Sequence, residues 1–205
     1  MYRLYYFSKR GRAEQIRLLL NELAQSYEDV VVVKGEPFRA LQAEGAAKLA
    51  FGSVPMLEDG NFRLSQAPAI LGYLARAHGL APQDPRQAAL AHSITLGAED
   101  LRIHYFRLFG EGAADKQAKF IAGRWSQRWL PGLSDLLRLN GDNGFFVGES
   151  ITHADLAVWD ALDAIVQWVD GASLDGAERL RKFYGGIQAR PRIAEYLASD
   201  RRATG

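Results

Sequence analysis

Side chains able to carry chemistry are few in this chain, and the most versatile sulfur nucleophile is missing altogether. Its 205 residues include no cysteine. An intrinsic thiol nucleophile, a CxxC redox pair, a thiolate zinc site and an iron–sulfur cluster are thereby excluded, so any sulfur chemistry must use a substrate's sulfur. His78, His92, His104 and His153 stand at no HxxxH or HExxH spacing, and no metal site is expected. There is no GxSxG elbow, GxGxxG turn or phosphate loop, which leaves hydrolase and nucleotide chemistry without a handle.

What remains clusters at three places. Tyr6 ends an aromatic run just before Lys9-Arg10-Gly11-Arg12. Its hydroxyl can meet the exposed N–H groups of a helix opening at Gly11, or its ring can simply pack half-buried on a strand. The basic run sits at the positive end of that helix, a placement that costs roughly a few tenths of a kcal/mol unless an anion arrives. It is either a solvated cluster softened by Glu14 or a carboxylate site. Gln66-Ala67-Pro68 puts proline at the first helical position and makes Ala67 the N-cap, without a side-chain oxygen, so that water or a ligand carboxylate must satisfy the exposed N–H groups. Val54-Pro55 opens a strand. Trans is the default for such a bond, whereas cis would leave Val54's backbone as a free edge for an extended ligand.

The elements that position these residues follow from periodicity. Tyr2 to Phe7 suits a strand, and Ile16, Leu19, Leu20 and Leu23 fall on one face of a helix over Gly11 to Ala24. Val30 to Val33 reads as a second strand. Val54 to Leu57 and Asn61 to Leu64 form a hairpin around Asp59-Gly60, and Pro68 to Ala77 is a helix. The order βαβ then ββα predicts a small mixed sheet in a thioredoxin-like arrangement. After Gly79 to Pro85, rich in turn residues, no comparable strand pattern recurs. Helices are expected at Arg86 to Phe109, Asp115 to Leu139 kinked or divided at Pro131-Gly132, His153 to Val169, Asp175 to Gln188, and after Pro191, with the tail from Arg201 fraying. The fold class is therefore α/β plus all-α: a thioredoxin-like domain over 1–78, a linker over 79–85 and an all-helical domain over 86–205. Ile151-Thr152-His153-Ala154-Asp155-Leu156 is a capping box with a hydrophobic staple, a folding signal rather than a catalytic one.

Charge narrows the partners. Twenty-five basic against 24 acidic residues leave a net charge of +1, without the basic excess of a nucleic-acid binder. No apolar stretch approaches the ~20 residues of a membrane span and no signal region opens the chain, so a cytoplasmic location is expected.

Taken as an ordered set, Tyr6 to Arg12, Phe51-Gly52-Ser53-Val54-Pro55, Asp59-Gly60, Leu64 to Leu71, Ala98 to Arg102 and Thr152 to Asp155 resemble the cytosolic glutathione transferases, nearest to the tyrosine-using pi and sigma classes. The resemblance implies that Tyr6 stabilises the thiolate of glutathione as co-substrate and that Arg12 lies near the tripeptide's carboxylate. Val54 would pair with the cysteinyl unit, and Pro55 would be the family's cis-proline. Gln66 and Ala67 would grip the γ-glutamyl group, with Asp100 reaching the other subunit's γ-glutamyl amine. Phe51 would be an aromatic key inserted into the partner of a homodimer. Phe7 and the helix around Tyr105, Phe106 and Phe109 would build the apolar site for the electrophile. Ala67 stands where the family usually has serine, which implies a loss of ~1 kcal/mol or more of γ-glutamyl affinity. The family's tryptophan and lysine before the cis-proline have no match in spacing, Phe38 and Lys48 being nearest in kind, so the glycyl carboxylate has no assigned ligand. Gly110 falls near a position where pi-class members carry an apolar-site tyrosine, which implies a more open pocket.

The implied chemistry is energetically reasonable. Lowering a thiol from ~8.5 by ~2 units needs ~2.7 kcal/mol of preferential thiolate stabilisation, and one charge-assisted hydrogen bond supplies ~1.5 to 3 kcal/mol. A phenol ordinarily titrates near ~10 and stays a donor at neutral pH. The expected function is conjugation of the glutathione thiolate to small hydrophobic electrophiles. A weakly catalytic ligand-binding protein of the same fold and a glutathione-dependent isomerase are the alternatives.

Overall fold

Aromatic residues at the start of the chain build the first strand, β1 (Tyr2–Tyr6), around which the rest of the sheet assembles. In this computed structural model, which describes residues 1–203, β2 (Tyr27–Val31) pairs with β1 in parallel, from Tyr2↔Tyr27 to Tyr6↔Val31. β3 (Met56–Asp59) and β4 (Phe62–Ser65) continue the sheet antiparallel, in the order β2-β1-β3-β4. Gly60, at φ +58, makes the turn between them. This is the mixed sheet that the βαβ and ββα order predicts. The second strand starts at Tyr27 rather than Val30, because it pairs along the whole of β1 and not only where β-branched residues concentrate.

Alternation along β1 sends its side chains to two different cores. Leu4 is fully buried, as are Ile16, Leu19 and Leu20 of α1 (Glu14–Glu22) and Ile70, Leu71 and Leu74 of α3 (Ala67–Ala77), and the two helices pack on each other. Tyr5 and Met56 form a second cluster with Val32 and Leu49, against which Phe7, Phe38, Leu41 and Val54 pack. Phe38 and Leu41 belong to α2 (Glu36–Ala43), a helix that periodicity alone did not pick out. None of its residues is fully buried, so its apolar face is short.

The chain divides into two compact units, Met1–Gly79 with Arg190–Gly205, and Leu80–Ala189. The sequence-based expectation assigns 86–205 to the helical domain; in this division by contacts α9 (Pro191–Leu197) falls with the sheet unit and packs on α1. Glu22 accepts from Arg190 Nε at 3.0 Å. The tail, expected to fray from Arg201, is held as far as Arg202: Arg201 lies over the Tyr27 ring at 4.9 Å, and Arg202 Nε donates to Glu14 at 3.0 Å. The last two residues of that expectation lie outside those described.

In the helical unit, α4 (Pro85–Phe106) starts at Asp84, whose side chain accepts from the N–H groups of Arg86 and Gln87. α5 (Ala113–Phe120) leads through a π-helical segment, Ile121–Trp129, into α6 (Leu130–Leu139). The expected break at Pro131 falls where the π-helical segment passes into α6, with the proline in the first turn of α6, where a missing N–H is tolerated. α7 (His153–Trp168) packs along α4, and α8 (Glu178–Gln188) along α6 and α7. Among the described residues, no helix is long and apolar enough to cross a membrane.

The capping box forms as the sequence predicts. Asp155 accepts from the Thr152 N–H at 2.7 Å and the Phe146 N–H at 2.8 Å, which also ties the preceding loop to α7. Burial pushes its carboxyl up from 3.8 to about 6, against these donors, which pull it down. The folded value exceeds the unfolded one, so the group's contribution to stability is full below about pH 4 and is lost as pH rises through about 6. Urea unfolding of Asp155→Asn is expected to lack this falling limb. It should also show a loss of about 1 to 2 kcal/mol at neutral pH, because an amide cannot accept from both N–H groups.

Candidate functional site at the end of the sheet

Register brings the three sequence motifs to one edge. The Tyr5↔Met56 pair places Tyr6 and Phe7 beside Val54-Pro55, and the Met56↔Ser65 pair places Gln66-Ala67 on the other side of Val54-Pro55. All three lie just beyond paired residues, where backbone groups leave the ladder. Val54-Pro55 is a cis peptide, as the resemblance implied and contrary to the default for such a bond. Val54 is half-buried against the Tyr5 and Met56 cluster.

Tyr6 is buried, 9% exposed, and its Oη accepts a hydrogen bond from the Arg12 backbone N–H at 3.0 Å. The phenol therefore meets a helix start, as one of the two readings of the sequence had it, and satisfies an N–H group that would otherwise be orphaned. Because the oxygen accepts there, the phenolic proton stays available to another acceptor. Gly11 makes the approach feasible. It takes φ +42 in a 3₁₀ turn (Gly11–Ala13), and a Cβ at this position would lie 2.4 Å from Tyr6 Oη. Arg12 itself is half-buried.

Phe7 packs edge-on against Phe38 with ring centroids 5.3 Å apart, and its ring lies 5.5 Å from that of Tyr6. At the start of α3 the cap is Gln66 rather than Ala67, a shift of one residue, with Pro68 still in the first turn. Gln66 takes φ +75, a left-handed conformation rare for a residue with a side chain, and it makes no side-chain cap bond. Such strain persists where surrounding structure fixes it, and it gathers at ligand sites. The first N–H groups of α3 receive no side-chain cap, and the Ala67 methyl is buried. Phe51, 79% exposed at φ +61, projects from a 3₁₀ turn just ahead of Val54.

Asp100 and Phe106 lie on α4, in the other unit. Both are exposed there. Phe106 contacts the buried Tyr105, with centroids 4.7 Å apart, and Phe109 stands 6.5 Å from the same ring. Among the described residues, no group of three or more histidines and carboxylates is placed to hold a metal.

Comparison with known proteins gives this arrangement its context. The description "Glutathione S-transferase, N-terminal domain" matches residues 2–76, and "Glutathione S-transferase, C-terminal domain" matches residues 99–200. The chain belongs to the glutathione S-transferase family. It is 34% identical to Glutathione S-transferase P of Homo sapiens over 205 residues, covering 97% of this chain and 92% of that protein. It is 32% identical to the protein of the same name from Capra hircus over 198 residues, with the same coverage. The solved pi-class glutathione S-transferase of Onchocerca volvulus superposes with a TM-score of 0.83 at 29% identity, covering 96% of this chain and 91% of that one. The structure of NaGST-2 superposes with a TM-score of 0.86 over 97% and 96% of the two chains, at 24% identity, a likeness of fold alone.

Glycine at residue 11 is what the seat of Tyr6 requires, a need that inspection of the chemical groups passed over, since glycine has none. Gly11→Ala is expected to push Tyr6 off the Arg12 N–H and lower turnover of an aryl halide with glutathione about tenfold or more, the equivalent of one lost hydrogen bond of ~1.4 kcal/mol. Steady-state kinetics of the folded variant would check this; wild-type turnover would mean that the phenol does not need this seat.

Proposed function

We propose that the chain conjugates glutathione to small hydrophobic electrophiles, with Tyr6 holding the thiolate. The observation that carries this reading is the Tyr6 hydroxyl seated on the Arg12 N–H, which occupies its oxygen as an acceptor and leaves its proton to give. Glutathione would run along the free backbone of Val54, ahead of Pro55, as an added strand. Its γ-glutamyl carboxylate would meet the N–H groups at the start of α3 beside Gln66 and Ala67, where the helix dipole favours negative charge. Arg12 would contribute positive charge on the other side.

The thiol gives up its proton to solvent on binding, and the sulfur then accepts the hydrogen bond from Tyr6 Oη. The positive end of the helix that opens at Gly11 adds to the preference for the anion. The thiolate attacks an electrophilic carbon and a C–S bond forms. In substitution the leaving group departs with its electron pair; in addition a proton from solvent quenches the carbanion. Phe7 would contribute an apolar wall for the electrophile. The family's dimeric habit gives Phe51 a purpose, since an aromatic ring this exposed has nothing to cover it in one chain. It would insert into a second copy, and Asp100 of the partner subunit would reach the γ-glutamyl amine. A cytoplasmic location fits this reading.

Two measurements test it. Tyr6→Phe should bind immobilised glutathione yet turn over an aryl halide about tenfold to a hundredfold more slowly, matching the ~1.5 to 3 kcal/mol of a charge-assisted hydrogen bond. A variant as fast as wild type would remove Tyr6 from the chemistry. Phe51→Ser should shift the sedimentation of the protein from dimer toward monomer and weaken glutathione retention; an unchanged dimer would leave Phe51 without an interface role.

A further inference from the structure

Behind the Tyr6 turn lies a buried charge network that the proposed chemistry does not use. Glu14, the first residue of α1, is fully buried. Its Oε1 accepts from Arg202 Nε at 3.0 Å and its Oε2 from Tyr196 Oη at 3.0 Å. Two further guanidinium groups stand slightly beyond hydrogen-bond reach: Arg10 Nε is 3.8 Å from Oε1 and Arg17 Nη1 is 3.6 Å from Oε2. Arg17, 4% exposed, spends its donors elsewhere. Its Nε binds Asp29 on β2 at 2.9 Å, and its Nη1 binds the backbone carbonyl of Lys9 at 3.1 Å. Lys9 in turn closes a tight turn onto Phe7, its N–H donating to the Phe7 carbonyl at 2.7 Å. The turn between Tyr6 and its partner Arg12 is therefore held from beneath by Arg17.

Two acceptors stand near Arg17 Nη1, the Lys9 carbonyl at 3.1 Å and the Glu14 carboxylate at 3.6 Å. A carboxylate is the stronger one. Tyr196 on α9 and Arg202 after it hold the Glu14 carboxylate in place by one hydrogen bond to each oxygen, and in that position Arg17 Nη1 lies nearer the Lys9 carbonyl than Glu14. Burial, then the Glu14 charge, pushes the Tyr196 phenol far above its ordinary range, so it remains a donor at every working pH. Glu14 is faced by Arg10 from the turn, Arg17 from its own helix, Tyr196 from α9 and Arg202 from the tail.

We propose that Glu14, Arg17, Tyr196 and Arg202 are positioning residues, through which the docked C-terminal segment sets the seat of Tyr6 and hence how firmly it holds the glutathione sulfur. This rests on the reading of Tyr6 as thiolate donor. Without the Tyr196 hydroxyl, Glu14 Oε2 loses its hydrogen bond and draws Arg17 Nη1 across. The Lys9 carbonyl is released, the turn loosens, and the Arg12 N–H no longer fixes the phenol.

The test is the pH dependence of kcat/KM for an aryl halide in the intact dimer. Tyr196→Phe should move the acid limb up by about half a pH unit, which is about a threefold loss below the limb. Arg17→Lys, which keeps the charge but cannot reach Asp29 and Lys9 together, should move it further. Affinity for S-methylglutathione, which has no thiol to ionise, should stay within about twofold in both. Arg202→Gln, at the part-exposed edge of the network, should shift the limb in the same direction, and it decides the matter if either buried variant does not fold. Variants that are folded and less heat-stable but keep the wild-type pH profile would overturn the proposal, leaving the network purely structural. Tyr6→Phe separates the two levels. If its own profile matches wild type, the underlying reading falls; if its profile moves while those of Tyr196→Phe and Arg202→Gln do not, only the positioning role falls.

Discussion

The contact on which the proposed chemistry depends is a phenol held by a single backbone N–H, and the demand behind it is steric before it is electronic. The Tyr6 ring must lie where a side chain on residue 11 would otherwise stand, 2.4 Å from its oxygen. Only glycine leaves that space, and only glycine readily adopts the φ of +42 that turns the Arg12 N–H toward the strand end. Once the oxygen is engaged as an acceptor, the direction in which the hydroxyl can donate is restricted. A buried hydroxyl without this partner would carry a desolvation penalty of ~1 to 3 kcal/mol, so folding and chemistry ask for the same contact.

The sheet supplies the rest by register. A shift of one residue between β1 and β3 would carry Tyr6 away from Val54-Pro55 and exchange the two faces of the strand. The alternation that buries Leu4 on one side and Tyr5 on the other therefore fixes where the ends of three strands meet. α1 belongs to the same logic. Its N-terminus faces the phenol, its apolar face packs on α3, and its first residue receives the C-terminal segment. A chain end remote in sequence thereby rests against the element that seats the phenol.

Much of this was legible in the sequence. Aromatic and β-branched runs, the Asp59-Gly60 turn and the helical spacing of Ile16, Leu19 and Leu20 predict the order of elements and the sheet, and Thr152 to Asp155 predict a helix start atom by atom. These are local signals. What was not legible depends on contacts distant in sequence. Nothing near Arg202 announces a partner at Glu14, so the tail read as frayed and the helical domain as running to the C-terminus. α2 escaped because its apolar residues, Phe38 and Leu41, cover only a narrow stripe. The cap of α3 was placed one residue late because Gln66 adopts a backbone conformation that its residue type does not suggest. Gly11 reads as the opening of a helix, and only the ring lying over it shows why that residue must be glycine.

The most direct test of the central claim is the ionisation of glutathione bound to the wild-type protein, followed by the ultraviolet difference absorbance of the thiolate as pH is varied. A phenol seated as described should make the bound thiol half-ionised about two units below the ~8.5 of a free thiol. A bound thiol that titrates close to the free value would contradict it.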